Sequence, residues 1–162
     1  MRIGIISDTH DDLRNLRAAL EILRLEDITT VFHCGDLSGP AVVAALSEFD
    51  VWIARGNVDN HPEMEEAVSD VLGKGRMAES HHLTVDGRAA LLIHGHREAE
   101  LRRLIRAGEY FYVIHGHSHR RRDETIGRTR VINPGALGGM RWQRRSFCIL
   151  DAVTDSVRFV EV

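Results

Sequence analysis

Cysteine, lysine and long apolar runs are scarce in this chain of 162 residues. The two cysteines, Cys34 and Cys148, are too few for a disulfide framework, and Cys34 is expected in the core. Lys74 is the only lysine, and the net charge of −3 excludes a general attraction to nucleic acid or anionic membranes. No apolar run approaches the length of a membrane span, and the N-terminus lacks a signal-peptide pattern. The expectation is a cytoplasmic protein in a reducing compartment.

The alternation of apolar runs and helical patterns predicts one α/β domain over residues 1–162. Its first third reads βαβαβ, and the remainder is mainly hairpins with one helix. This order predicts two mixed sheets packed face to face with helices outside. The segment 74–80 is expected to be a mobile loop. Strands are predicted at 2–7, 30–34, 51–55, 82–86, 88–93, 110–114, 123–126, 129–132, 146–151 and 156–161, and helices from Leu13 to Leu23, from Pro40, from Pro62 to near Gly73 and over 97–107.

Five of the apolar runs end on a residue that can bind a divalent metal. In α/β sheets, ligands gather outside the carboxyl ends of the strands. Carboxylate, imidazole and amide groups delivered together there indicate a hydrolytic site with more than one ion. The five run ends are Asp8-Thr9-His10, Gly35-Asp36, Gly56-Asn57, His94-Gly95-His96 and His115-Gly116-His117-Ser118-His119.

The individual motifs differ in how much they indicate. Asp8 and His10 would point to one face if the chain stays extended there, although Asp-x-His is common by chance. Asp36 follows a glycine and could bridge two cations with its two oxygens. Asn57 could donate to a substrate oxygen and ligate a metal, or it could be an ordinary turn asparagine.

The histidines carry more weight, because five of the ten fall between His94 and His119. A single histidine is usually a surface or core residue, but five at two strand ends are hard to explain that way. His96 and His115 are the members expected to support ligands or the fold rather than bind metal. Apart from His10, the histidines outside this cluster are expected to be structural or exposed. They are His33, His61, His81 and His82.

Taken together, these motifs resemble those of the calcineurin-like metallophosphoesterases, and their spacing is similar to the small bacterial and archaeal YfcE-type phosphodiesterases. The matching segments span nearly the whole chain. They are Asp8-x-His10, Gly35-Asp36, Gly56-Asn57-x-Asp59, His94-Gly95-His96, Gly116-His117-Ser118-His119 and Ile132-Asn133-Pro134-Gly135.

The resemblance implies a four-layer αββα sandwich with two divalent transition-metal ions, manganese first and iron, nickel or zinc as alternatives. It implies that Asp36 bridges the ions and that Asp59 orients a ligand. One ion would take Asp8, His10, Asp36 and His119, and the other Asp36, Asn57, His94 and His117.

Such a pair of ions would hold a bridging hydroxide that attacks phosphorus in line, while Asn57 stabilises charge on the phosphoryl oxygens. Many superfamily members have a histidine after Gly-Asn, which serves as a proton donor; here that residue is Val58. His96 is the candidate replacement. Because Val58 cannot donate a proton, esters with acidic leaving groups, and phosphodiesters over alkyl monoesters, are the expected substrates. Arg141 is a candidate substrate contact.

Two other functions compete with a phosphodiesterase. One is a phosphomonoesterase or nucleotidase acting on a small phosphorylated metabolite. The other is a non-catalytic scaffold like the small retromer subunit, which has lost several ligands, whereas all seven ligand positions are competent here. The expected partner is a small phosphoester, with no membrane and no duplex nucleic acid. The resemblance also implies a homo-oligomer, a dimer or a tetramer.

Overall fold

The computed structural model describes all residues from Met1 to Val162. The strands are β1 (Arg2–Ile6), β2 (Thr30–His33), β3 (Asp50–Ala54), β4 (Met77–Ala78), β5 (Ser80–Val85), β6 (Arg88–Ile93), β7 (Tyr112–Ile114), β8 (Arg121–Ile126), β9 (Thr129–Pro134), β10 (Ser146–Asp151) and β11 (Ser156–Glu161). The helices are α1 (Leu13–Leu25), α2 (Pro40–Ala45), α3 (Pro62–Val71) and α4 (Glu98–Ala107).

The strands form two mixed sheets, as predicted. The first has the order β11-β10-β1-β2-β3-β4, and β1 to β4 in it are parallel. The second has the order β5-β6-β7-β9-β8, with a parallel centre of β6, β7 and β9. The carboxyl ends of β1, β2 and β3 therefore share one edge of the first sheet, and those of β6 and β7 share one edge of the second.

Three apolar layers hold the sandwich together, which confirms the αββα arrangement. Helices α1, α2 and α3 pack on the outer face of the first sheet, for example Leu20 and Val43 against Ile6. Ile5 of the same strand points the other way, into a second layer between the two sheets. The third layer lies between α4 and the second sheet and includes Leu101. Alternate residues of β1 thus serve different layers, as the period of a strand requires.

Local signals explain where several elements begin and end. The Asp12 carboxylate accepts the Asn15 N–H at 3.0 Å and caps α1. Pro40 and Pro62 stand in the first turns of α2 and α3, where a missing N–H costs nothing. Gly108 ends α4 in a left-handed conformation, with φ 65°.

Two expectations for the segments between these elements need correction. The predicted loop 74–80 contains β4, which pairs with β3, and it ends where β5 begins. The predicted strand 110–114 is shorter, because only Tyr112–Ile114 joins the ladder between β6 and β9. Both cysteines are free and buried, as predicted for Cys34. No helix combines the length and apolar character that a membrane span needs.

Candidate metal centre

The predicted ligands come together where the two sheet edges meet. Asp8, His10 and His119 form one group and Asp36, His94 and His117 a second, and within each group the potential ligand atoms lie within 4.8 Å of one another. The loop after β1 supplies Asp8 and His10, the loop after β2 supplies Asp36, and the loops after β6 and β7 supply the other three residues.

In the first group, three polar atoms face one point. His119 Nε2 lies 3.2 Å from Asp8 Oδ1 and 3.4 Å from His10 Nε2. His119 Nδ1 is 2.8 Å from the Met140 carbonyl oxygen, which can only accept, so Nδ1 carries the proton. A neutral His119 ring therefore turns the lone pair of Nε2 toward the other two ligands.

The second group is built in the same way. His94 Nδ1 donates to the Cys34 carbonyl oxygen at 2.7 Å, which leaves the lone pair on Nε2. That nitrogen lies 3.4 Å from Asp36 Oδ1 and 3.1 Å from Asn57 Oδ1. Metal-binding histidines commonly donate their second ring nitrogen to a carbonyl in this manner.

Asp36 stands between the two groups. Its Oδ1 faces His94 Nε2 at 3.4 Å, and its Oδ2 faces His10 Nε2 at 3.6 Å. The Val58 N–H also donates to Oδ1, at 3.2 Å. One carboxylate oxygen is thus directed to each group, which is the arrangement that a bridging ligand needs.

The loop after β1 does not stay extended, so the condition stated for Asp8 and His10 is not met. Asp8 and His10 have φ values of 51° and 45°, in the left-handed region. The reason is a pair of contacts with the next loop: the Asp8 N–H donates to Gly35 O at 2.9 Å, and the His10 N–H donates to Asp36 O at 3.0 Å. These bonds curl the backbone and still bring both side chains to one point.

The charges of the site favour a bound cation. Burial would raise the pKa of Asp36, but the adjacent His94 imidazole, the Val58 N–H and the His10 imidazole lower it to about 2. Burial would lower the pKa of His94, yet the Asp36 and Asp8 carboxylates raise it above its ordinary value. The Asp8 carboxylate, whose Oδ1 lies 3.2 Å from His119 Nε2, likewise raises the pKa of His119. Each shift shows carboxylates attracting positive charge to the position that an ion would take.

The donor set fits divalent metals on a further observation. Asp8 Oδ1 is buried and accepts no hydrogen bond, although buried carboxylate oxygens are normally satisfied. When His94 is neutral, the second group brings together the lone pairs of His94 Nε2, Asp36 Oδ1 and Asn57 Oδ1. No hydrogen atom then lies between these three atoms. Oxygen and imidazole ligands of this kind suit Mn, Fe, Zn or Ni.

Asp59 lies beneath the site and holds two of its loops. Its carboxylate is 2% exposed and accepts the backbone N–H groups of Asp36, Leu37, Ser38 and Gly56 at 2.8 to 3.1 Å. It therefore fixes the loops that carry Asp36 and Asn57.

His96 and His115 lie near the candidate ligands but outside the two groups. The His96 ring centroid is 5.5 Å from that of His94, and its Nδ1 is buried without a hydrogen-bond partner. Burial and the neighbouring His94 lower its pKa. His115 is buried, and burial lowers its pKa to about 4. Arg141 is exposed and makes no hydrogen bond or ion pair, so nothing in the structure links it to a ligand.

Sequence reasoning assigned no role in the site to two supporting residues, although it gave His33 as structural or exposed and included Asn133 in a motif. His33 is buried; its Nδ1 accepts the Gly35 N–H at 3.1 Å, so Nε2 donates to Thr9 Oγ1 at 2.8 Å. It ties the loop after β1 to the loop after β2. Asn133 donates to Gly116 O at 2.8 Å and to Ser118 Oγ at 3.1 Å, and so shapes the last ligand loop. The sequence feature that could have indicated the role of His33 is its position at the end of a buried strand.

Comparisons with known proteins agree with this geometry. The model of the calcineurin-like phosphoesterase superfamily domain matches residues 1–155. Phosphodiesterase MJ0936 of Methanocaldococcus jannaschii is 35% identical over 142 residues, which cover 86% of either chain. A solved structure of a novel archaeal phosphodiesterase has 32% identity and a TM-score of 0.92, with both chains fully covered.

A third similarity concerns the fold alone. Vps29 from Entamoeba histolytica, solved with Zn²⁺, has 21% identity and a TM-score of 0.68, and covers 100% of this chain and 98% of its own.

The family model and the phosphodiesterase relatives show that the chain belongs to the calcineurin-like phosphoesterase superfamily, in its branch of small phosphodiesterases, as predicted. It is a metal-dependent hydrolase that acts on phosphate ester bonds.

Proposed function

We propose that this superfamily member is a phosphodiesterase that holds two divalent cations, one on each side of Asp36. Asp8, His10 and His119 would complete the first site, and Asn57, His94 and His117 the second. The observation that carries this proposal is the Asp36 carboxylate, whose two oxygens face His94 at 3.4 Å and His10 at 3.6 Å. The relatives described as phosphodiesterases support the choice of a diester.

Manganese is the proposed native metal, with iron, nickel or zinc as alternatives, since hard carboxylates and borderline imidazoles with no thiolate suit all four. Bound at these sites, two cations would supply Lewis acidity toward phosphoryl oxygens and a nucleophile generated from water. The free, buried cysteines fit the reducing environment of a cytoplasmic enzyme.

The chain's own residues orient the substrate and move the proton. The Asn57 side chain is near His94, so its oxygen could ligate an ion while its NH₂ donates to a phosphoryl oxygen. His96 is the proposed proton donor to the leaving oxygen, since Val58 cannot donate from its side chain. The position of His96 beside His94, with the ring centroids 5.5 Å apart, supports this role. Asp59 positions Asp36, and Arg141 is retained as a candidate substrate contact.

Metal content and hydrolysis, measured together, test the proposed function. After loading with Mn²⁺, the purified chain should hold two ions and release p-nitrophenolate from bis-p-nitrophenyl phosphate. Asp36→Asn, which removes the charge of the bridging group, should lose both properties. Less than one ion per chain together with no hydrolysis would instead favour the scaffold function.

The role of His96 is tested by changing the leaving group. His96→Ala should slow hydrolysis of an alkyl ester about 100-fold and an aryl ester much less, because a poor leaving group depends more on a general acid. His82→Ala is the control, since His82 lies on β5 against Tyr110. An unchanged rate on both esters would remove His96 from the mechanism.

A further inference from the structure

A cavity of about 410 Å³ opens beside the metal ligand His117. It lies between the loop after β7 and helix α4, and Ser118 lines it as well. A substrate whose phosphoryl group is at the metal centre could extend into this cavity without leaving the surface of the protein. One acidic residue, Glu98, and four arginines line the cavity; the arginines are Arg102, Arg120, Arg121 and Arg122.

Three of these arginines already have acidic partners. Arg102 pairs with Glu98 at 3.0 Å, one turn away on α4. Arg121 pairs with Glu161 at 2.8 Å and donates to Ser146 Oγ at 3.0 Å. Arg122 pairs with Glu124. Their charges are neutralised locally, so they contribute little to attracting an anion.

Arg120 differs from the other three because it has no hydrogen bond and no ion pair. It directly follows the metal ligand His119, and its side chain is exposed. Its guanidinium carbon lies 5.4 Å from the ring centroid of Trp142, in a cation–π contact. Trp142 is itself 57% exposed.

The loop that carries Trp142 is fixed to the metal centre. The Met140 carbonyl accepts the Nδ1–H of His119 at 2.8 Å, and Gln143 Oε1 accepts the Arg121 N–H at 2.9 Å. Trp142 lies between these two anchors and therefore holds the Arg120 guanidinium at the mouth of the cavity. A free, pre-positioned guanidinium is suited to a phosphate, which it can bind with two parallel hydrogen bonds.

We propose that Arg120, supported by Trp142, binds a second phosphate of the substrate in this cavity. The preferred substrate is then a phosphodiester that carries a further phosphate, as nucleotide-like molecules do. This inference rests on the proposed phosphodiesterase function and adds a substrate class to it.

Two chromogenic esters with the same leaving group test the inference. They are the p-nitrophenyl esters of thymidine 5′-phosphate and of thymidine 3′,5′-bisphosphate at the 5′ position, assayed with the manganese-loaded protein. The wild-type chain should have at least a 10-fold lower KM for the bisphosphate ester, since a charge-assisted hydrogen bond has that magnitude. Arg120→Ala should abolish this preference, and Trp142→Ala should reduce it.

Arg122→Ala is the matched control, because it removes the same charge from the same cavity but from a residue already paired with Glu124. It should keep the preference. Equal KM values for the two esters in the wild-type chain would overturn the inference while the proposed function stands. Loss of the preference in both arginine variants would overturn it too, because the summed positive charge of the cavity, and not a specific contact with Arg120, would then explain the preference. Hydrolysis of neither ester by the metal-loaded chain would overturn the proposed function itself.

Discussion

Gly139 is the most informative position for perturbing the metal centre without touching a ligand. It lies in the loop after β9, with φ 63°, directly over the first group of ligands. A Cβ built there would meet His10 Cδ2 at 2.4 Å, His10 Nε2 at 2.9 Å and His119 Cε1 at 2.9 Å. Gly139→Ala should therefore displace the rings of two proposed ligands of one metal ion.

The size of the effect follows from these distances. An ordinary contact begins near 3.4 Å, so the His10 ring must move away from 2.4 Å by roughly 1 Å. Metal–ligand distances tolerate only about 0.2 Å, and a misplacement of about 1 Å can cost roughly 100-fold in rate. Without metal the rings can swing aside cheaply, so stability should fall only by the cost of alanine in the left-handed region, about 1 kcal/mol.

Gly127→Ala separates these two effects. Gly127 has the same φ of 63° in the β8–β9 turn, and a Cβ there would meet nothing within 4 Å. Both variants should lose about 1 kcal/mol in urea unfolding of the metal-free protein. Only Gly139→Ala should bind one manganese ion fewer by elemental analysis and hydrolyse bis-p-nitrophenyl phosphate roughly 100-fold more slowly. If both variants keep two ions and equal rates, the proposed ligand positions of His10 and His119 are wrong.

Three other predictions address the supports of the site. Asp59→Ala leaves four backbone N–H groups without their acceptor, so urea unfolding should show a loss of at least about 3 kcal/mol; a loss below about 1 kcal/mol would contradict this. His33 and His115 have pKa values lowered to about 4 by burial, so each stays neutral in the fold while the unfolded chain takes up protons below pH 6.5. Their contribution to the free energy of unfolding, about 3 kcal/mol each, is complete above pH 6.5 and is lost as the pH falls toward 4. A free energy of unfolding that stays constant over this pH range would refute it. Chelation should abolish hydrolysis and manganese should restore it, with retained activity in the chelated protein as the contrary result.

Much of the fold could be predicted because the central strands, such as β1 and β2, are buried on both faces. Continuous apolar runs such as Ile3–Ile6 allow few alternatives, and the bounds of the last hairpin, 146–151 and 156–161, agree with β10 and β11. Strand β4 could not be predicted, since its two residues are too few to show the alternation of apolar and polar side chains that is typical of a strand. It exists because β3 offers an unpaired edge beside it.

The candidate site could be predicted in its residue types but not in its geometry. Strand ends and glycines indicated which side chains would meet. The left-handed backbone at Asp8 and His10 depends on hydrogen bonds to Gly35 and Asp36, which lie in another loop. The same limit applied to His33, whose role depends on Thr9, in the loop after β1.

The most direct test of a two-metal centre bridged by Asp36 is anomalous diffraction from crystals grown with manganese. Two anomalous peaks about 3.5–4 Å apart are expected, as in other two-metal sites. One should contact Asp8, His10 and His119, the other Asn57, His94 and His117, and the Asp36 carboxylate should contact both. A single peak, or peaks that leave Asp36 without a metal contact, would contradict the account.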